Sequence, residues 1–168
     1  MAKNLELKIK LENRNEMINK CKDAGAKFIK ELNQKDIYYK ISNGMLKLRI
    51  QNGSKELIKY ERDEVNTERW SEYYVLKIDD ANAEFFLSKL FSVEVVVEKT
   101  RLLYQYKNTR IHLDEVKSLG EFLELESVLQ SEELEAKQEF LEVVELLNLD
   151  LDKQIKKSYR DLIKNDFK

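Results

Sequence analysis

Charged and apolar residues alternate in several short segments of this sequence. Segment 5–11 reads LELKIKL, and segments 46–50 (LKLRI) and 110–114 (RIHLD) repeat the alternation. Side chains of a β-strand point alternately to its two faces, so each segment predicts a strand with one charged and one apolar face. Residues 124–126 add two glutamates on one face. Because bases and acids both recur, the pattern predicts a sheet whose charged face lines a site for a polyanion and its metal ions.

Turn and capping signals divide the chain into helices and strands. Gly25 is a plausible helix end, and Asn52-Gly53 is a strong signal for a two-residue hairpin turn. Predicted strands lie near 3–11, 26–32, 35–41, 45–51, 56–62, 70–78, 93–106, 108–116 and 121–129. Predicted helices lie near 13–24, across 131–147 and 152–166, and in a short segment carrying Phe85 to Leu90 that Asp79, Asp80 or Asn82 can cap.

The apolar faces of the strands decide where the charged faces point. Helices need an apolar surface to cover, and the leucine and isoleucine faces supply it, while Phe85 and Phe86 are interpreted as core packing. The charged faces then point into water or into a barrel, which about eight strands can close. We therefore predict an α+β fold with a closed or nearly closed antiparallel eight-stranded β-barrel and helices packed on its outside. Unpaired charges in a dry core are costly, so we expect a hydrated tunnel.

Composition limits the classes of partner and compartment. The 168 residues predict a single domain spanning 1–168. A formal net charge of −2 gives no bulk attraction to nucleic acid or to an acidic membrane surface. The single cysteine, Cys21, excludes a disulfide within the chain and indicates a reducing compartment. With no signal peptide or transmembrane run, we expect a cytoplasmic protein.

Short motifs along the chain carry a resemblance to a known family. The matching segments are Asn4–Lys8 (a Glu-x-Glu-x-Lys signature), 46–49, 60–63 with 69–73, 99–101, 110–114 with 120–126, and 158–162. In this order and spacing the chain resembles the CYTH family, the triphosphate tunnel metalloenzymes that include class IV adenylate cyclases and thiamine triphosphatases. The resemblance covers nearly the whole chain. It implies a tunnel that binds a triphosphate and, in many members, a homodimer.

The resemblance assigns triphosphate binding to basic residues on several strands. Arginine can donate to two phosphate oxygens at once, whereas lysine acts as a point charge. Strand parity puts Lys59 and Arg62 on opposite faces, and the family match favours Arg62. Lys8, Arg62 and Arg101 are the expected catalytic residues. The full set expected to bind triphosphate is Lys8, Lys10, Lys47, Arg49, Lys59, Arg62, Lys99, Arg101 and Arg110.

The same resemblance assigns metal binding to four carboxylates. Glu6, Asp114, Glu124 and Glu126 would hold Mg²⁺ or Mn²⁺, hard cations that suit oxygen ligands and phosphates. Alternatively, Glu124 and Glu126 pair with bases on other strands and only stabilise the sheet.

Two positions leave the metal assignment open. Asn4 stands where the signature has its first acid, which weakens one metal position. His112, the one histidine, shares a face with Arg110 and Asp114 and either contacts substrate or has a structural role.

Three functions remain open on the sequence alone. A class IV adenylate cyclase would convert ATP to cyclic AMP and pyrophosphate, and the stretch from Arg62 through Ser71 to Tyr73 resembles that class. A triphosphatase would hydrolyse thiamine triphosphate or inorganic tripolyphosphate. A non-catalytic module would bind a polyphosphate or nucleotide, which Asn4 permits. We expect metal-dependent triphosphate processing, with the cyclase placed slightly first.

Overall fold

The described residues of the protein form an α+β structure of eight strands and four α-helices. The computed structural model describes residues 2–62, 70–129 and 132–166, and side chains within 4–60, 72–129 and 132–165. The strands are β1 (Ala2–Lys10), β2 (Lys27–Tyr39), β3 (Met45–Gln51), β4 (Ser54–Arg62), β5 (Trp70–Lys77), β6 (Val93–Tyr106), β7 (Thr109–Val116) and β8 (Gly120–Val128). The helices are α1 (Arg14–Asp23), α2 (Ala83–Leu90), α3 (Glu133–Leu146) and α4 (Tyr159–Asp166), with a short 3₁₀ helix at Leu151–Lys153.

All strand pairs of the curled sheet are antiparallel. The hydrogen-bonded order is β1-β5-β4-β3-β2-β6-β7-β8, and β8 pairs in turn with β1. On the β8 side, β1 is joined at seven register positions, from Asn4 to Lys10. On the β5 side, the described residues join it at four positions, Ala2 to Leu5. Eight antiparallel strands are therefore confirmed. The predicted closure of the barrel is shown only in part, because the pairing between β1 and β5 is short.

Alternation along the strands sends the apolar residues to the outer face of the sheet. Leu7, Leu113 and Leu125 are each at most 1% exposed and belong to one core cluster. Helix α3 packs over β1, β7 and β8, and α1 packs on β7. Helices α1 and α3 thus cover the apolar face as predicted, and the charged face is left pointing inward.

Helix α1 follows its sequence signals. The Asn13 side chain accepts a hydrogen bond from the Glu16 backbone N–H at 3.1 Å, which caps the first turn. The buried residues of α1 are Met17 and Cys21, so the cysteine is a core residue. Gly25 follows the helix with a φ of +76°, a conformation that glycine adopts at little cost.

The C-terminal segment differs from the predicted helix 152–166. After the 3₁₀ helix the chain is held on β1, because the Ile155 backbone N–H donates to the Lys8 carbonyl at 2.8 Å. The Lys8 side chain also donates to the Lys157 carbonyl at 3.0 Å. A helix therefore starts only at Tyr159. The Tyr159 ring packs edge-on against Phe122 at 5.1 Å between centroids. Helix α4 thus covers one end of the sheet, which we call the floor, instead of packing on the outer face.

Two further expectations were wrong. Phe85 and Phe86 are 64% and 62% exposed, because α2 buries only Ala83 and Leu87. The two extended stretches near 26–32 and 35–41 form the single strand β2, which pairs with β6 along nearly its whole length.

Other local predictions agree with the structure. Asn52 and Gly53 have φ values of +46° and +84°, as a two-residue hairpin turn requires. Among the described residues, the helices are too short or too polar to cross a bilayer.

Candidate functional site: a charged cavity inside the sheet

The inward faces of all eight strands surround a cavity of about 440 Å³. This volume is in the usual range for small-molecule sites. Ser158 and Tyr159 contribute to its lining from the floor. Its charged lining residues are Glu6, Lys8, Lys30, Lys47, Arg49, Glu56, Lys99, Arg101, Arg110, Glu124 and Glu126. Charges that are distant in sequence therefore converge, because each lies on the inward parity of its strand.

Asp114 anchors the first of two buried ion-pair networks. Arg101 donates from Nε to Oδ1 and from Nη2 to Oδ2 of Asp114, both at 2.6 Å. The Tyr159 hydroxyl donates to Oδ2 at 2.9 Å, and Lys99 Nζ lies 3.7 Å from the same atom. Burial alone would raise the pKa of Asp114, but Arg101 and Lys99 outweigh burial and lower this pKa to about 2. Asp114 is thus an ionised, buried counter-ion of Arg101 and Lys99.

The expectation that Asp114 binds metal stays a prediction. Both of its oxygens accept hydrogen bonds from other side chains, and its exposed fraction is 0%. In this arrangement Asp114 orients Arg101, whose Nη2 also donates to Glu124 at 2.6 Å.

Asp36 on β2 anchors the second network. Arg49 donates to its two oxygens at 2.7 Å each, and Lys47 Nζ donates to Oδ2 at 2.9 Å. Burial is the largest influence on Lys47, and with the Arg49 charge it outweighs Asp36 and lowers the pKa of Lys47 to about 7. Lys47 therefore loses its proton more readily than an ordinary lysine does.

Sequence reasoning missed Asp36 and Tyr159 as residues of the site. Asp36 lies between Gln34 and Tyr38 on the same face of β2. The prediction of two separate extended stretches concealed this shared parity. Tyr159 was matched only as part of a C-terminal motif. In sequence, that motif is far from the strands that it touches.

Lys8 lies at the floor of the cavity. Its side chain is 2% exposed, and its Nζ lies 4.1 Å from the centroid of the Tyr159 ring, a cation–π contact. The same Nζ lies 3.2 Å from Glu124 Oε1. Lys99 Nζ lies 4.9 Å from the same ring, so two ammonium groups meet over one aromatic side chain.

Three carboxylates form what we call the acidic wall: Glu6, Glu124 and Glu126. In the register of β1 and β8, Glu6 faces Glu126 and Lys8 faces Glu124. Bases already contact this wall, since Arg110 Nη2 lies 2.9 Å from Glu126 Oε2. Arg101 likewise contacts Glu124, so the alternative that these acids pair with bases on other strands is observed for this pair. The same oxygens suit a divalent cation.

His112 adjoins the acidic wall on β7. It faces Glu124 in register, and its Nδ1 lies 3.7 Å from Glu126 Oε1. Donor atoms of His112, Glu124 and Glu126 all lie within 4.8 Å of one another, as in a metal site. Burial, followed by the Arg101 charge, lowers the pKa of His112 to about 4, so the imidazole is neutral near pH 7. The donor set fits a divalent cation.

Six of the nine predicted triphosphate ligands line the cavity, and three others are placed differently or lie outside the described side chains. Those in the lining are Lys8, Lys47, Arg49, Lys99, Arg101 and Arg110. Lys10 is exposed past the floor, where the buried ring of Phe122 lies opposite it in register. Lys59 has the opposite parity from Ile58 and Tyr60, which line the cavity, so it belongs to the outer face. The Arg62 side chain lies outside the described residues.

The remaining predicted metal positions also face the cavity. Glu6, Glu124 and Glu126 are in its lining, as is Asn4, which is 2% exposed. The neutral residue of the signature thus lies on the same face of β1 as Glu6.

The family model described as "CYTH domain" matches residues 2–159. The chain belongs to the CYTH family. CYTH members are triphosphate tunnel enzymes, active as adenylate cyclases or triphosphatases, and they depend on metal. The cavity of this CYTH protein has the charge such enzymes need, with bases from several strands facing an acidic wall.

Individual relatives resemble this CYTH protein over nearly their whole length. A Methanocaldococcus jannaschii protein, provisionally named an adenylate cyclase, is 28% identical, with 94% of this chain and 97% of that protein covered. The structure of the PH1012 protein of Pyrococcus horikoshii is 25% identical, with a TM-score of 0.83 and coverage of 95% and 98%. A Hippeastrum protein, described as having a dominant triphosphatase activity, shares the fold at 14% identity, with a TM-score of 0.69 and coverage of 97% and 96%.

Proposed function

We propose that this CYTH protein processes a nucleoside triphosphate in its charged cavity with a divalent cation, Mg²⁺ or Mn²⁺, and that ATP is converted to cyclic AMP and pyrophosphate. The observation that carries the proposal is the meeting of six buried or half-buried bases with the acidic wall in one cavity. A triphosphate is the small ligand whose clustered negative charges match such a set.

The deepest bases are suited to the terminal phosphates. Lys8 and Lys99 meet over the Tyr159 ring at the floor, and Arg101 is held beside them by Asp114. The Asp114 ion pair orients the Arg101 guanidinium before substrate binds, which favours stabilisation of a pyrophosphate leaving group. The β- and γ-phosphates therefore occupy the floor, and the α-phosphate lies higher.

The acidic wall lies beside the expected position of the α-phosphate. Glu6 and Glu126 are two residues further from the floor than Lys8 and Glu124 along the same ladder. A cation held by these acids supplies Lewis-acid polarisation of a phosphoryl oxygen and neutralises developing charge. The bases that now contact Glu124 and Glu126 are free to move to phosphate oxygens once the cation neutralises the wall.

Cyclisation needs no water positioned by the protein. The ribose 3′-oxygen attacks the α-phosphorus and loses its proton to solvent, the bond between the α-phosphorus and the α,β-bridging oxygen breaks, and pyrophosphate leaves with the bonding electrons. The relative of Methanocaldococcus jannaschii, provisionally named an adenylate cyclase, supports this assignment.

Hydrolysis of a triphosphate is the second candidate. The Hippeastrum protein combines the same fold with a dominant triphosphatase activity, so the fold alone does not favour cyclisation. The same bases would hold tripolyphosphate or thiamine triphosphate equally well at the floor.

Product analysis tests the proposal. The pure protein is incubated with ATP, thiamine triphosphate or tripolyphosphate, each with Mg²⁺ and with Mn²⁺, and products are resolved by ³¹P NMR. Cyclic AMP with pyrophosphate supports the cyclase, and orthophosphate from any substrate supports the triphosphatase instead. Tight binding of all three without turnover would overturn enzymatic function.

A matched pair of lysine variants tests whether the cavity is the site. Lys99→Ala removes an ammonium from the floor, and we expect a roughly 10- to 100-fold loss of triphosphate affinity, the usual effect of losing a hydrogen bond to a charged group. Lys59→Ala removes an ammonium from the outer face and should change affinity little. Equal losses in the two variants would place the binding site elsewhere.

A further inference from the structure

His112 occupies an unusual position beside the acidic wall. It is the chain's one histidine, and it is 4% exposed on the cavity face of β7. Its Nδ1 is buried and has no hydrogen-bond partner among the described residues. A buried polar atom without a partner costs free energy, so such atoms are rare unless a ligand completes them.

The surroundings of Nδ1 suit a cation better than a hydrogen bond. The nearest acid oxygen, Glu126 Oε1, lies at 3.7 Å, which exceeds hydrogen-bond distance. Two ligands bound to one cation at about 2.1 Å each lie roughly 3–4 Å apart. The separation of 3.7 Å fits two ligands flanking one ion, and Glu124 contributes a third donor within 4.8 Å.

The strand register makes this juxtaposition a property of the backbone. His112 faces Glu124 across the β7–β8 ladder, and Glu6 faces Glu126 across the β1–β8 ladder. The imidazole and the Glu6 carboxylate thus flank the two β8 acids from opposite sides. All four residues line the same cavity.

We propose that His112 Nδ1 is a ligand of the divalent cation, together with Glu124 and Glu126. The inference rests on the proposed function in one respect, that a divalent cation binds at the acidic wall. Mg²⁺ prefers oxygen ligands and dehydrates reluctantly, whereas imidazole nitrogen suits transition metals. A site with one nitrogen and two carboxylates therefore selects Mn²⁺ and similar transition metals over Mg²⁺.

Cation and triphosphate binding reinforce each other in this arrangement. Without a cation, Lys8 and Arg101 contact Glu124, and Arg110 contacts Glu126. Phosphate oxygens draw these bases away from the wall, which leaves carboxylate oxygens for the cation. The nitrogen of His112, in contrast, is available in both states.

The single histidine permits a direct spectroscopic test. The protein is labelled with ¹⁵N-histidine and titrated with ¹¹³Cd²⁺ in the presence of tripolyphosphate, with calorimetry to establish binding. Only a nitrogen bonded to cadmium shows a one-bond ¹⁵N–¹¹³Cd coupling, and we expect this coupling at Nδ1. Binding by calorimetry without the coupling would overturn the inference and leave the proposed function standing. Absence of cadmium, Mn²⁺ and Mg²⁺ binding would overturn both.

Metal selectivity provides an independent measurement. His112→Gln should weaken Mn²⁺ binding roughly tenfold or more, the order of effect seen when metal-site groups are removed. The Mg²⁺ affinity of this variant should change much less, so the variant should prefer Mn²⁺ over Mg²⁺ less strongly than wild type does. Glu98→Gln, which removes a carboxylate outside the cavity, is the control and should alter neither affinity. An unchanged preference in folded His112→Gln would contradict the inference.

Discussion

Arg101 and Asp114 form a two-point ion pair inside the cavity, with both donor–acceptor distances at 2.6 Å. The pair lies between the floor and the acidic wall, because Tyr159 donates to Asp114 and Arg101 donates to Glu124. Asp114 therefore fixes one edge of the Arg101 guanidinium, and Arg101 links the two parts of the site. This arrangement separates the bases that we propose bind phosphate from the residues that orient them.

Asp114→Asn tests the anchoring role. The variant keeps the shape of the side chain but leaves Arg101 and Lys99 without their buried counter-ion, so we expect a loss of roughly 3 kcal/mol in the free energy of unfolding. Urea denaturation measures this loss. Mn²⁺ affinity of the folded variant should stay near wild type, because Asp114 does not belong to the acidic wall. If Asp114→Asn lowers the Mn²⁺ affinity as much as Glu126→Gln does, Asp114 is a metal ligand.

Lys47 makes stability and triphosphate binding depend on pH. Its pKa of about 7 in the folded protein lies below the ordinary 10.5, so between these values the unfolded chain binds more protons. Stability from this group therefore rises as pH increases from about 7 toward 10.5. Urea denaturation across pH 7–10 should show the rise, and Lys47→Met should reduce its slope. An identical slope in the variant would contradict the lowered pKa.

Tripolyphosphate affinity should fall as pH rises past the pKa of Lys47, whereas the contribution of Lys47 to stability rises. A bound triphosphate favours the protonated form of Lys47, so binding at pH 8 takes up a proton. Calorimetry of tripolyphosphate binding in buffers with different ionisation enthalpies measures this uptake. Lys47→Met should reduce it relative to wild type, whereas Lys59→Met on the outer face should not.

The parts of this site that sequence could predict are those governed by strand parity. Lys8, Lys47 and Arg49 each alternate with apolar residues over several positions, so both the strand and its inward face were readable. Lys10 has the same parity as Lys8, but alternation cannot tell where a strand passes the end of the cavity. Phe122, which lies opposite Lys10, marks that end.

The remaining features depend on contacts between distant segments. The role of Asp114 follows from Arg101 and Tyr159, and the latter reaches it from helix α4. The path into α4 is fixed by hydrogen bonds to Lys8, which local helical spacing does not encode. Likewise, Phe86 lies on an amphipathic helix whose packing partner could not be read from periodicity.

Tyr159→Phe tests the link between floor and ion pair. The change removes the hydroxyl that donates to Asp114 at 2.9 Å but keeps the ring under Lys8. We expect a loss of about 1.5–3 kcal/mol in the free energy of unfolding, the usual cost of losing a hydrogen bond to a charged group. Tyr159→Ala should cost roughly 3–5 kcal/mol, because it also removes the buried ring. Urea denaturation of both variants checks the order. No loss in Tyr159→Phe would show that the hydroxyl contributes nothing, and equal losses in the two variants would show that the ring adds nothing.

Asn4→Glu restores the acid that the signature lacks. Asn4 is 2% exposed, lines the cavity and shares a face of β1 with Glu6, so a carboxylate there joins the acidic wall. A buried carboxylate without a counter-ion is costly, so we expect the metal-free variant to melt below wild type. Mn²⁺ neutralises the added charge, so the increase in Tm on adding Mn²⁺ should exceed that of wild type, as binding to the folded state requires. Thermal melts with and without Mn²⁺ measure both effects, and Asn4→Gln, which adds the same length without charge, is the matched control. If Asn4→Glu and Asn4→Gln respond equally to Mn²⁺, position 4 lies too far from the cation to influence it, and the neutral residue of the signature has no bearing on metal binding.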